Sequence, residues 1–226
     1  MRDQWLIPPH ANADFVYHME DVLEVYHRPL DPLRPLVCMD EQPIQLLDHT
    51  RERLPSAPGA VAKEDFEYQR GGTCNLFIDF APLLGQRHLS VTDRRTQADW
   101  AAWVKDLVDE RYPDAEQIVL VCDNLNTHTP AALYATFSPN EARRLTEKLE
   151  IHYTPKHGSW LNMAEIELSV LGRQCLDRRL ASQAVVKIET AAWEARRNAA
   201  HTTVDWRFTT ADARIKLKHL YPSTQL

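Results

Sequence analysis

Residues 117–124 read QIVLVCDN, a run of β-branched and apolar residues that ends abruptly on an acid and an amide. A strand with no polar alternation is expected where both faces are covered, in the middle of an α/β sheet. Asp123 then stands at the strand's end, where open sheets of this kind gather ligands. The stretch PLVCMDEQPIQLLDH (35–49) repeats the pattern, with LVCM running into Asp40 and Glu41. Pro43 is expected to interrupt its continuation as a central strand. If the two strands are neighbours, the aspartates lie side by side, and paired carboxylates repel unless a divalent cation holds them. Read singly, each aspartate is equally well a cap for the following turn.

Working outward, NADFVYHMEDVLEVYH (12–27) carries apolar residues at helical spacing behind a capping Asn12, and Pro29, Pro32 and Pro35 follow as a stiff linker. Residues 51–72 are polar and broken by Pro and Gly, so they read as a loop. TCNLFIDFAPLLGQRHLSVTD reads as an antiparallel hairpin of 73–80 and 87–92 turning at Leu84-Gly85. Helices are expected at 97–111, at 130–150 with a break at Ser138-Pro139, at 161–176, at 183–200 and from about Thr210 to Leu220, with a further strand at 150–155. The order implies an α/β fold, a mixed sheet wrapped by helices.

The helix NMAEIELSVL offers two acids, Glu165 and Glu167. Two positions along a helix differ by about 200°, so both cannot face the same way. With Leu161, Ile166 and Val170 taken as the buried face, one glutamate is driven to solvent and the other can meet the sheet edge. The residues alone do not choose between them. Three carboxylates together suit Mg²⁺, a hard ion that prefers oxygen ligands and commonly shares them with phosphates. No P-loop, GxSxG or HExxH motif occurs in the chain.

Composition sets outer limits. Of 226 residues 44% are hydrophobic, enough for a sizeable core, and no apolar run approaches the ~20 residues of a membrane span. The first residues lack a secretory leader, which reads as a cytoplasmic protein. Cys38, Cys74, Cys122 and Cys175 show no metal-binding spacing and are expected as buried thiols. Net charge is −6, unevenly spread: residues 171–226 hold ten Lys/Arg against five Asp/Glu, a net +5, leaving −11 for the rest. That basic end suits either a phosphate-contacting surface or a solvated helix face.

Three stretches carry a resemblance: VCMDEQPIQLL (37–47), VLVCDNLNTH (119–128) and YTPKHGSWLNMAEIELSVL (153–171). Together they resemble the DDE transposases of the bacterial insertion-sequence branch related to Tc/mariner elements, the "six-thirty" family. The ending DWRFTTADARIKLKHLYP (205–222) is similar as well, so the likeness runs from Ile7 onward. It implies a ribonuclease-H-like domain over 36–200, preceded by a helix and proline-rich linker (1–35) and followed by a basic helical tail (201–226). It assigns metal binding and catalysis to Asp40, Asp123 and Glu165, the last because it stands three residues after Asn162 of the LN pair. Asn124, His128, Lys156, His157, Trp160 and Asn162 become supporting or DNA-contacting residues, though His128 and Trp160 are also ordinary core residues by type.

The resemblance further implies Mg²⁺ with Mn²⁺ as substitute, and insertion-sequence ends and target DNA, with a TA preference, as partners. It also implies a homodimer in the active complex, at the nucleoid of a bacterial cytoplasm. Such transposases carry an N-terminal helix-turn-helix reader, and no basic two-helix unit precedes Asp40. The chain is accordingly expected to be a truncated or split copy. Two further readings follow: an inactive remnant serving as a DNA-associated or dimerisation module, and a hydrolase of RNA–DNA hybrids.

Overall fold

The computed structural model describes residues 7–52, 54–63 and 65–222. The first six residues, read above for a leader, and the last four of the basic end lie outside the described residues.

Five strands form one mixed sheet: β1 (Leu36–His49), β2 (Tyr68–Ala81), β3 (Gln86–Thr92), β4 (Ile118–Cys122) and β5 (Leu149–Tyr153). Their order is β3-β2-β1-β4-β5. β1, β2 and β3 run antiparallel as successive hairpins, whereas β4 and β5 lie parallel to β1. The parallel half needs crossovers, and the helices supply them.

Side-chain alternation divides the interior into two layers. Cys38, Leu76, Ile78, Phe80, Val119 and Val121 face a core completed by α1 (Ala13–Tyr26), α5 (Met163–Leu171) and α6 (Gln183–Ala199). Val37, Met39, Phe77, Ile118, Leu120 and Cys122 face a second core completed by α2 (Gln97–Asp106), α3 (Pro130–Thr136) and α4 (Pro139–Glu147). β4 is buried along its whole length, as an unalternating IVLVC requires. All four cysteines are buried thiols.

Local chemistry sets the helix ends, at Asn12 as expected. Asn12 Oδ1 accepts from the Phe15 amide at 3.0 Å to cap α1, and Thr96 and Asp99 form a reciprocal capping box on α2. α2 and α5 each continue as a π-helical turn, Leu107–Arg111 and Gly172–Leu176. Gly85 turns the β2–β3 hairpin at φ +65°, and a Cβ there would meet the His201 carbonyl carbon at 2.7 Å. The C-terminal segment packs inward: Val204, Trp206 and Phe208 join the first core, and α7 (Thr210–Lys216) carries Arg214 in its last turn, bound to Glu20 of α1.

Three expectations are corrected. β1 does not stop near Asp40 but runs on through Pro43, paired with Asn75 of β2. Its parallel pairing with β4 ends at Cys38, so at Pro43 that edge of β1 has no strand neighbour, and a proline without an N–H is tolerated there. The loop read over 51–72 is shorter, because residues 68–72 extend β2 along the β1 arm. In α5 the buried stripe is Met163, Ala164, Glu167, Leu168 and Leu171, while Ile166 is 40% exposed.

Candidate active site

The register of β1 and β4 pairs Leu36 with Val119 and Cys38 with Val121. The same offset carried two residues further sets Asp40 opposite Asp123. Alternation then fixes their side: Asp40 follows Cys38, and Asp123 follows Val121, on the face covered by α5. Glu165 sits in the first turn of α5. Asn162 holds that turn against the sheet: its Nδ2 donates to the Met39 carbonyl at 2.9 Å, and its Oδ1 caps the Ala164 amide at 3.1 Å.

Electrostatics report the same convergence. Burial first, and then the carboxylates of Glu165, Asp123 and Glu41, push the Asp40 carboxyl up to about 7. The Glu41 amide, donating to Asp40 Oδ1 at 2.8 Å, opposes this only in part. Among the described residues no Lys or Arg forms an ion pair with Asp40, Asp123 or Glu165, and Asp123 is paired with His128. An all-oxygen set of acids short of positive charge fits hard divalent cations such as Mg²⁺ or Mn²⁺.

His128 lies behind this set, buried, with its ring stacked on Trp100 at 5.9 Å between centroids. Its Nδ1 is 2.5 Å from Asp123 Oδ1, and its Nε2 is 3.1 Å from Glu41 Oε2, an ion-pair contact without hydrogen-bond geometry. Burial alone would lower its pKa, but the two carboxylates outweigh that and hold it at about 9. Protonated, His128 supplies one positive charge between these two acids, and Glu41, Asp123 and His128 also stand close enough together for their ligand atoms to share one metal ion. Glu41 was missed in the sequence; being one residue from Asp40 sends it to the opposite face, where His128 and Trp100 wait.

The two glutamates of α5 part company. Glu167 is fully buried and held by Arg87 of β3 (Nε–Oε2 2.7 Å, Nη2–Oε1 3.1 Å) and by Arg197 of α6 (Nε–Oε2 3.1 Å, Nη2–Oε1 3.0 Å). Burial would raise its pKa, and the two guanidinium groups overcome this and lower it. Its oxygens are thus taken up on the far side of the helix, while Glu165 is half-buried beside Asp40.

The remaining expected residues spread out. Asn124, Lys156 and His157 are exposed on the loops after β4 and β5, and His157 adopts φ +65°. Trp160 packs into the first core, edge-on to Phe208 at 6.1 Å. The basic C-terminal surface is partly neutralised internally, through Arg178–Glu189, Arg197–Glu167, Arg207–Asp205 and Arg214–Glu20.

A mixed five-stranded sheet in this order, flanked by helices on both faces, is the ribonuclease-H-like architecture. The DDE superfamily endonuclease profile matches residues 35–187, and the chain belongs to that family. No curated protein sequence matches the chain. Solved structures agree on the fold: the Mos1 mariner paired-end complex with Mg shares 15% identity at a TM-score of 0.64, covering 99% of this chain and 67% of that one. The corresponding complex with Mn shares 16% at 0.60, covering 99% and 68%. The Mos1 transposase paired-end complex with the left transposon end shares 17% at 0.58, covering 89% and 62%. The chain thus spans about two thirds of the length of these structures.

Proposed function

We propose that this chain is the catalytic part of a DNA transposase, cutting insertion-sequence ends and joining them to target DNA. The observation that carries it is that Asp40 feels the charges of both Asp123 and Glu165, while among the described residues no Lys or Arg is paired to any of the three. Asp40 on β1, Asp123 just after β4 and Glu165 arriving from α5 would hold two divalent ions. Such ions, when bound, activate a water or 3′-hydroxyl for attack on phosphorus and stabilise the leaving oxygen.

The protein's own residues do the positioning. His128 orients Asp123 and neutralises the acids behind it; Asn162 fixes the start of α5 and so the approach of Glu165. The exposed Lys156 and His157 stand on the loop leading to α5, where cationic groups suit a phosphate backbone. Mos1, with the same fold, is known in complexes with a transposon end, with Mg and with Mn, which supports DNA as partner and a divalent cofactor. A homodimer in the active complex belongs to the same reading.

The test is direct. Purified protein with Mg²⁺ or Mn²⁺ is incubated with plasmid DNA, with a pre-cut end plus target, and with an RNA–DNA hybrid. Metal-dependent nicking or joining of DNA is expected; failure on both DNA substrates overturns the reading, and cleavage confined to the hybrid would turn it into a ribonuclease.

A further inference from the structure

We propose that Glu167 is a positioning residue: clamped between Arg87 and Arg197, it fixes the rotation and axial register of α5 and thereby aims Glu165 at Asp40 and Asp123. The inference rests on the metal-site reading above.

A glutamate on the apolar stripe of a core helix is an expensive choice. Its side chain is 1% exposed, as is fitting for a leucine, and Arg87 opposite it is 0% exposed. Buried ion pairs are seldom the cheapest way to hold a fold, and an apolar side chain would fill the same space. What an ion pair supplies that leucines do not is a single permitted register. Sliding α5 by one turn, about 5.4 Å, would strand a carboxylate among apolar groups and leave a buried guanidinium unpaired.

The clamp is anchored on every side. Arg87 also donates from Nη1 to the Gly85 carbonyl at 2.6 Å and from Nη2 to the Thr202 carbonyl at 2.6 Å, and its face lies 4.6 Å from the Phe80 ring centroid. Asn198 of α6 closes on the Arg87 backbone, its Oδ1 accepting from the amide at 2.9 Å and its Nδ2 donating to the carbonyl at 2.7 Å. β3, α6 and the segment after α6 are therefore tied to one oxygen pair on α5. Two residues earlier on the same helix stands Glu165, and a few degrees of helix rotation would carry its carboxylate away from the aspartates. Asn162 pins the start of α5 to β1, and Tyr26 Oη, donating to the Leu161 carbonyl at 2.6 Å and accepting from the Met163 amide at 3.4 Å, holds the same end; the two arginines fix the helix further along.

The test titrates Mn²⁺ into the purified chain, following the unbound ion by paramagnetic resonance, with folding checked by circular dichroism. Folded Glu167→Gln and Arg197→Gln are expected to bind Mn²⁺ about tenfold more weakly, and Arg197→Lys to recover most of the loss. In a Glu165→Gln background the same substitutions are expected to have no further effect, since they act through that side chain. Should Glu167→Gln not fold, Arg197→Gln decides, because it leaves Arg87 in place on the glutamate. Wild-type affinity in a folded variant, or an equal loss with Glu165 already removed, overturns the inference alone. A wild-type chain that does not bind Mn²⁺ overturns the metal site and this inference together.

Discussion

His128 Nδ1 lies 2.5 Å from Asp123 Oδ1, and the other nitrogen of that buried ring reaches Glu41 from the opposite face of the sheet. One imidazolium thus serves two carboxylates on neighbouring strands, and it does so from a pocket walled by Trp100. The imidazole holds one Asp123 oxygen, Oδ1, in place. Supports of this type govern metal affinity nearly as strongly as the ligands do.

Replacing His128 with Ala should therefore act twice. Metal-dependent cleavage is expected to fall by about tenfold to a hundredfold. Stability should fall by about 3 kcal/mol, because Glu41, with a side chain 2% exposed, loses its buried partner and keeps only the long contact with the exposed Arg95 at 3.8 Å. Cleavage assays and urea denaturation check the two arms; a variant as stable as wild type would show that Glu41 finds another partner.

Asp40→Asn should trade function for stability. The carboxyl sits in a buried, acid-rich site that pushes it up to about 7. An acid whose folded pKa exceeds its unfolded value weakens the fold at neutral pH. Removing that charge is expected to stabilise the metal-free protein by about 1–3 kcal/mol while abolishing cleavage. Thermal melts in chelator and in Mg²⁺ are the measurement. Wild type should gain stability from the metal and the variant should not.

Much of this site can be read from the chain, and the gaps have physical causes. Asp123 is visible because IVLVC is buried on both faces and stops at an acid. The run of β1 past Pro43 is hidden, since a proline's fitness in a strand depends on whether its open edge has a neighbour, which only the pairing with β4 decides. Glu165 and Glu167 stay undecided by helical phase because the phase was drawn from Ile166 and Val170, whereas the true buried stripe contains a glutamate. Its burial depends on Arg87, 80 residues earlier in the chain, and no local pattern reports such a partner.

Gly85→Ala tests the β2–β3 turn. The residue adopts φ +65° and a Cβ would lie 2.7 Å from backbone carbon of His201, so strain and clash add. A loss of about 2 kcal/mol or more is expected in equilibrium unfolding. Because the Gly85 carbonyl also receives Arg87 Nη1, the ends of β3 and α6 should show the largest rise in amide exchange. Uniform exchange across the sheet would argue against a local origin.

Acid stability depends on Glu150, on β5. Burial would raise its pKa, but Arg28 at 2.6 Å, His152 at 3.0 Å and a close contact with Arg34 prevail and bring it down to about 2. A carboxylate whose folded pKa is depressed stabilises above its unfolded value, here 4.5, and that contribution drains away as pH falls from there towards about 2. Solvent reaches the cluster, so the full shift overstates the gain, and about 1 kcal/mol is expected at neutral pH. Glu150→Gln should lower the melting temperature at pH 7 and leave it nearly unchanged at pH 2, where wild type has lost most of that contribution. Equal losses at both pH values would mean that Glu150 contributes through packing and not through its charge.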